Sequence, residues 1–350
     1  MAAHLVTLFC AYFAMRLVPG RRWVDALGSW DAGYYLRIAE GGYPSEFSPT
    51  TTSVHGFFPL YPLLTRGVHT LTGLSEFRAG VILNVVLSAA AMVAIWLLVE
   101  RLADAAAATR AVVLMSFFPW AFVFRMTYAE PLLLLCAATA LVALLDRRWL
   151  LAGVASAAAG AARPNGAALA LCCAWASFEA IRHRREWRSL VAPALAPVGL
   201  LAFFTLLYVR TGDFLANLHM KDRALGDQGI GLDPASAMPR IRGLLDAPLN
   251  DLNFVGSVLC LVALVFMVWS MWRWRPPVIL WLFAVPVVLL AVVYTTYGSM
   301  PRFVLTAFPF IAALAVRMRS DAVFGAVVGV SAAAMAAIYT TVILSITLTP

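Results

Sequence analysis

"SWDAGYYLRIAEGGYP", residues 29–44, is a polar and aromatic stretch in a chain that is otherwise mostly apolar. It follows the first hydrophobic run and opens a long loop, 19–78, so its reading decides how the rest is arranged. Of the 350 residues, 62% are hydrophobic and 13% charged, and the mean hydropathy is +0.84. Soluble domains carry roughly 25% charged residues, so lipid is the solvent for most of this chain. Backbone polar groups in lipid must be satisfied within helices or closed barrels. The net charge of +8 falls in short clusters between apolar runs, which is the pattern of membrane orientation and not of nucleic-acid binding.

On a ruler of roughly 20 apolar residues per span, fewer where flanks snorkel, about eleven spans are expected. They cover 3–18, 79–99, 111–124, 128–145, 149–162, 166–181, 190–209, 253–272, 277–296, 303–316 and 322–347. The first has no charged leader and no small-residue cleavage site before Arg21 and Arg22, so it reads as a retained helix. Arg101 with Arg110, Arg147 with Arg148, "RHRREWR" at 182–188, Arg273 with Arg275, and Arg317 with Arg319 occupy alternate loops. Those loops are expected on the cytoplasmic side. The two long loops, 19–78 and 211–252, then share the outer side with connectors carrying Arg125, Arg163 and Arg302. Cys10, Cys136, Cys172, Cys173 and Cys260 all lie in apolar runs without metal or disulfide spacing, and read as small hydrophobes. A single integral domain, 1–350, is expected.

This topology gathers the unusual polar residues on one face: Asp31, His55, Tyr128, Glu130, Arg163, Asn165 and Arg302. Any one of them alone could merely mark an interface; their collection reads as a site. In the first loop Asp31 can N-cap a helix from Ala32 to Glu40 that stops at Gly41 and Gly42. Tyr34, Tyr35 and Ile38 would share one side of it and Arg37 and Glu40 would face water, as in an interfacial helix. Capping accounts for the acid but not for Trp30, nor for the rigid aromatic segment "VHGFFPLYPLL" at 54–64 that contains Tyr61.

"WDAGYYLRIAEGGYP" (30–44), "FFPLYPLL" (57–64), "ARPNG" (162–166) and "SMPRFVLTAFP" (299–309) together resemble, in order and spacing, the PIG-V family of mannosyltransferases. Pro164 is a departure, since eukaryotic members often carry serine there. The resemblance implies a GT-C type architecture: an all-α polytopic bundle with interfacial helices in its first outer loop. It also implies an essential acid in that loop, matched by Asp31, and a sugar taken from a lipid-linked phosphosugar, with mannose as the sugar.

The chemistry of those residues agrees. Glycosyl transfer to a hydroxyl needs a carboxylate to take the proton, and Asp31 is the expected base. The leaving phosphate needs a permanent bidentate cation, for which Arg163 and Arg302 are the candidates. Glu130 could orient the acceptor, hold a divalent ion with Asp31, or cap its helix. Asp31 and Glu130 are thus the expected catalytic acids, and Trp30, Tyr34, Tyr35, His55, Tyr61, Tyr128, Arg163, Asn165 and Arg302 the expected substrate-binding set. No dedicated metal ligands and no tightly held cofactor are assigned. A nucleotide-sugar DxD motif is missing from the sequence, which with the outward-facing site favours a polyprenyl-phosphate donor. A glycolipid, glycan or protein would be the acceptor, and the loop 211–252 is expected to close over it. One lysine against 25 arginines points to a GC-rich bacterial host and hence to a bacterial plasma membrane. A transporter or flippase of a lipid-linked sugar would show related halves and charges near the midplane, and a scaffold would have no reason to gather these four charges.

Overall fold

Helices account for nearly all regular structure in the computed structural model, which describes residues 2–18, 20, 22–46, 53–224, 251–294 and 297–344. No β-strand occurs among the described residues. Every one of the eleven expected apolar segments contains helix. The described parts begin with α1 (Ala2–Leu17), the short α2 (Trp23–Leu27), α3 (Asp31–Gly41) and α4 (Leu60–Thr72). They continue through α5 (Glu76–Leu102), α6 (Ala105–Ser116), α7 (Glu130–Leu145), α8 (Trp149–Ala162) and α9 (Ala168–Arg184). Next come α10 (Val191–Leu195), α11 (Val198–Thr211) and α12 (Ala216–Ala224). The last are α13 (Leu252–Trp274), α14 (Val278–Tyr294), α15 (Met300–Thr306), α16 (Phe308–Arg317) and α17 (Asp321–Leu344). Most of the loop expected to cover the acceptor, 225–250, lies outside the described residues, as do 47–52 of the first loop.

Among the described residues, four helical stretches are long and apolar enough to cross a membrane alone: Glu76–Leu102, Trp187–Thr211, Leu252–Trp274 and Asp321–Leu344. A fifth is the pair α15 and α16, bent by 70°, where Pro309 follows the break at Ala307. The remaining apolar helices run shorter. Between their charged ends the long helices expose large apolar side chains, among them Leu259, Val265, Phe266 and Val330, as a lipid-facing surface requires.

One expected span is displaced. The run 111–124 was expected to cross, yet its helix is α6, started early by Asp104, whose carboxylate accepts from the Ala107 N–H at 2.7 Å. The following stretch is a connecting segment whose side chains Trp120, Phe122, Phe124, Met126 and Tyr128 are buried in protein. A loop enclosed by helices is as apolar as a span, so hydropathy cannot separate the two.

Close helix approach is built with small residues. A side chain at Gly199 of α11 would meet the Ala157 backbone carbonyl of α8 directly, the small-residue packing that membrane helices favour. Gly199→Ala is therefore expected to cost about 1–3 kcal/mol by overpacking, seen as a lowered thermal midpoint in detergent. Gly67→Ala on α4 meets nothing within 4 Å and should leave the midpoint unchanged or raise it.

Candidate active site

Prolines flank three of the four charges. Arg163 ends α8 in an extended conformation, as a residue before proline prefers, and Pro164 opens a short 3-10 turn, Pro164–Ala167. Pro131 follows Glu130 at the start of α7. Pro301 precedes Arg302 in the first turn of α15. Asp31 is supplied by the first loop, at the start of α3.

These four residues converge in one cluster. Arg302 Nη1 lies 2.7 Å from Asp31 Oδ2, Arg302 Nε 3.4 Å from Glu130 Oε1, and Arg163 Nη1 2.7 Å from the same Glu130 oxygen. Phe303 lies beneath both guanidiniums, 4.9 Å from Arg163 and 5.5 Å from Arg302. Arg302 also stacks over Tyr128 at 5.1 Å. Glu130 is 0% exposed and both arginines 5%, whereas Asp31 is 28% exposed. Only Asp31 among the four reaches toward solvent.

The contacts are close in distance, but their angles fall short of directed hydrogen bonds. Both Glu130 oxygens, Arg163 Nε and Nη1, Arg302 Nε and Nη1, and Asn165 Oδ1 are buried without a hydrogen-bond partner among the described residues. Unspent polar capacity of this kind is costly unless a ligand satisfies it. Burial pushes the Tyr128 phenol well above its ordinary pKa, so it stands as a neutral O–H.

The sequence allowed Asp31 to N-cap the helix as well as to act as a base, and the structure does not use it as the cap. It is the first helical residue; Trp30 is the N-cap and makes no side-chain cap hydrogen bond. The Asp31 carboxylate turns to Arg302 instead. Trp30 pays for the placement with φ 59° and ψ −129°, a backbone state worth about 1–3 kcal/mol of strain and typical of functional sites. The bridging of Asp31 and Glu130 that the sequence left open to a divalent ion is made by Arg302. No group of three or more His, Cys, Asp or Glu side chains suited to a metal occurs among the described residues.

The remaining expected residues divide. Tyr35 packs edge-on against Phe57 and Tyr61, at 5.2 and 5.3 Å, and Tyr34 stacks on Phe57 at 4.5 Å; these rings seat α3 on α4. Burial raises the Tyr35 phenol well above its usual range. His55 is fully buried, with Nε2 2.9 Å from the Pro44 carbonyl and Nδ1 3.0 Å from Ser53 Oγ. It braces the loop rather than opening onto the cluster. Asn165 donates to Thr306 Oγ1 at 2.9 Å, tying the 3-10 turn to α15.

Several residues escaped the sequence reading. Asn84 Nδ2 donates to the carbonyls of Met126 and, at 3.0 Å, Tyr128, fixing the segment that presents Tyr128 and Glu130. Its signal was a carboxamide in the middle of an apolar helix. Arg66 donates through Nε to the Ala39 carbonyl at 2.6 Å, and through Nη2 to those of Ile38 and Glu40, each at 3.2 Å. It thereby holds the free carbonyl end of α3. Phe303 and Thr306 carried no signal beyond the motif around them.

The family model of glycosyltransferase family 87 matches residues 58–296, more than half of the chain. The chain belongs to glycosyltransferase family 87. Two crystal structures of the Archaeoglobus fulgidus oligosaccharyltransferase are similar to this family 87 chain. The complex with Zn and sulfate is 17% identical, with a TM-score of 0.51 over 97% of this chain and 52% of that one. The apo form is 14% identical, with a TM-score of 0.52 over 99% of this chain and 56% of that one. At such identities the likeness is one of fold, and it agrees with the GT-C type bundle. The family 87 chain spans about half the length of these solved structures. No curated protein matches it. The matched region starts at residue 58, so the stretch holding Trp30 and Asp31 lies before it.

Removing one partner of a buried ion pair typically costs about 3–5 kcal/mol, because the other is left uncompensated. Arg163→Leu should show a loss of that size in unfolding experiments, and adding Glu130→Gln should recover part of it. Removing the Arg110 side of the Arg110–Asp321 pair, where Asp321 is 90% exposed, should shift stability by at most about 1 kcal/mol.

Proposed function

We propose that the chain transfers a sugar from a polyprenyl-phosphate donor to a hydroxyl of a glycolipid, glycan or protein acceptor, on the extracytoplasmic side of a bacterial plasma membrane. Mannose is the sugar favoured by the resemblance around Asp31. The observation that carries the reading is the pairing of the cluster's solvent-reaching carboxylate, Asp31, with a buried arginine at 2.7 Å. Family 87 membership and the GT-C type fold supply the reaction class.

In this reading the acceptor oxygen attacks the anomeric carbon in a single displacement, while the bond from that carbon to the phosphate oxygen breaks. The acceptor proton passes to Asp31, and polyprenyl phosphate departs with the bonding pair. Arg302 and Arg163 offset the charge that develops on the phosphate, a preorganised electrostatic role. Glu130 keeps both guanidiniums in place. Phosphate and Asp31 compete for Arg302, so donor binding frees the carboxylate to act as a base.

Asp31→Asn keeps the shape of the side chain but cannot take a proton. Loss of a positioned base costs a factor of about 10² to 10⁴ in rate. The variant should insert normally, melt below the parent because buried Arg302 loses one of its two counter-charges, and, assayed below that midpoint, transfer almost no sugar from radiolabelled polyprenyl-phosphate mannose to a panel of membrane glycolipids. Transfer above about a tenth of the parent rate, outside the base-catalysis range, would place the base elsewhere. Sidedness is checked separately on a background without reactive cysteines: Ser45→Cys should label from outside intact cells, and Arg184→Cys only after permeabilisation.

A further inference from the structure

The end of the bundle opposite the charge cluster carries arginines of a different kind. α13 and α16 both finish there, and a cavity of about 330 Å³ between them is lined by Trp272, Arg273, Arg275 and Arg317. None of these three arginines makes an ion pair or a side-chain hydrogen bond with the described residues; Arg317 only stacks on Trp269, at 5.6 Å. No acid lines the cavity.

Orientation of the protein in the bilayer needs basic residues in this loop but does not need them to converge. Helix dipoles account for part of the charge: two C-termini contribute roughly half a negative charge each. Three guanidiniums therefore leave an excess of about two positive charges facing one cavity. Arg275 is placed there with φ 57°, a left-handed conformation in which glycine is the usual residue. A guanidinium is the side chain best matched to phosphate oxygens.

The wall beside the cavity identifies the source of the phosphate. Trp272 is 63% exposed and Trp269 48%, and one to two turns further along α13 Phe266 and Val265 are 59% and 68% exposed. Indole rings at this level followed by an open apolar face are the surroundings of a lipid molecule, with headgroup at the arginines and chains along the helix. A free anion has no use for that wall. We propose that the Arg273–Arg275–Arg317 cavity is a binding site for the headgroup phosphate of an anionic phospholipid in the adjoining leaflet.

Native mass spectrometry of the full chain in detergent, titrated with short-chain phosphatidylglycerol, phosphatidylcholine or inorganic phosphate, tests this. Each guanidinium near a membrane surface is worth about fivefold in affinity for an anionic lipid. Phosphatidylglycerol should bind at least about tenfold more tightly than phosphatidylcholine, and the Arg273→Gln/Arg275→Gly/Arg317→Gln variant should lose that preference. A control variant, Arg182→Gln/Arg184→Gln/Arg188→Gln, removes as many charges from the same end and should keep it. If the control loses as much, the effect is diffuse surface charge and the site is overturned. If inorganic phosphate binds as tightly as phosphatidylglycerol, the lipid assignment is overturned. Should the triple variant fail to fold, Arg273→Gln alone, at an exposed helix end, should lower phosphatidylglycerol affinity about fivefold, and an unchanged affinity overturns the proposal.

Discussion

Arg302 stands between two carboxylates that come from different parts of the chain, Asp31 from the first loop and Glu130 from the bundle. Its guanidinium cannot be neutralised under ordinary conditions, so once it is buried something must compensate it. That requirement ties α3 to the end of α7 and holds a long loop against the membrane helices. The rest of the loop supports the same placement. Tyr35 lies between Phe57 and Tyr61, Arg66 secures the far end of α3, and Ile38, Tyr43 and Phe58 pack on Phe203 and Leu207 of α11. The strained backbone at Trp30 is tolerated because these contacts over-determine where the next residue must be.

What the sequence made legible was the inventory and its end of the bundle. Alternating arginine clusters ordered the helices, and that order placed Asp31, Glu130, Arg163 and Arg302 together before any coordinates. What it could not supply was pairing. Asp31 has the spacing of a helix cap, and only the tertiary position of Arg302 draws its carboxylate elsewhere. His55 looked like a ligand because an isolated histidine in an aromatic loop looks the same whether or not its nitrogens are spent locally. Asn84 escaped notice because its partners, the carbonyls of Met126 and Tyr128, have no sequence signature. The part of the expected span 111–124 that follows Ser116 was misread for a related reason: apolarity reports removal from water and is silent on whether protein or lipid provides the cover.

Charges at the two ends of the bundle obey different rules. At the loop end they are enclosed, and their energies depend on neutralisation within a few ångströms. At the other end Arg101 pairs with Asp146 and Arg110 with Asp321 at 2.7 Å. Arg273, Arg275 and Arg317 are left to solvent or headgroups, where screening makes an unpaired charge inexpensive. The same residue type thus builds a rigid site in one place and a soft attachment in the other, and burial decides which.

The enclosed cluster is electrically balanced: two carboxylates and two guanidiniums. A phosphodiester brings one further negative charge into that space, and burying it without a counter-charge is prohibitive. One carboxylate must therefore give way as the donor enters. Glu130 cannot, being fully enclosed and in contact with both arginines. Asp31 can, because it contacts one arginine alone, is 28% exposed, and stands at the start of a helix on the loop. In the proposed reaction the ion pair that positions Asp31 in the empty site is thus the one the donor dissolves. The released carboxylate is then left between the sugar and solvent, no longer held by its counter-ion, which is the position a general base requires.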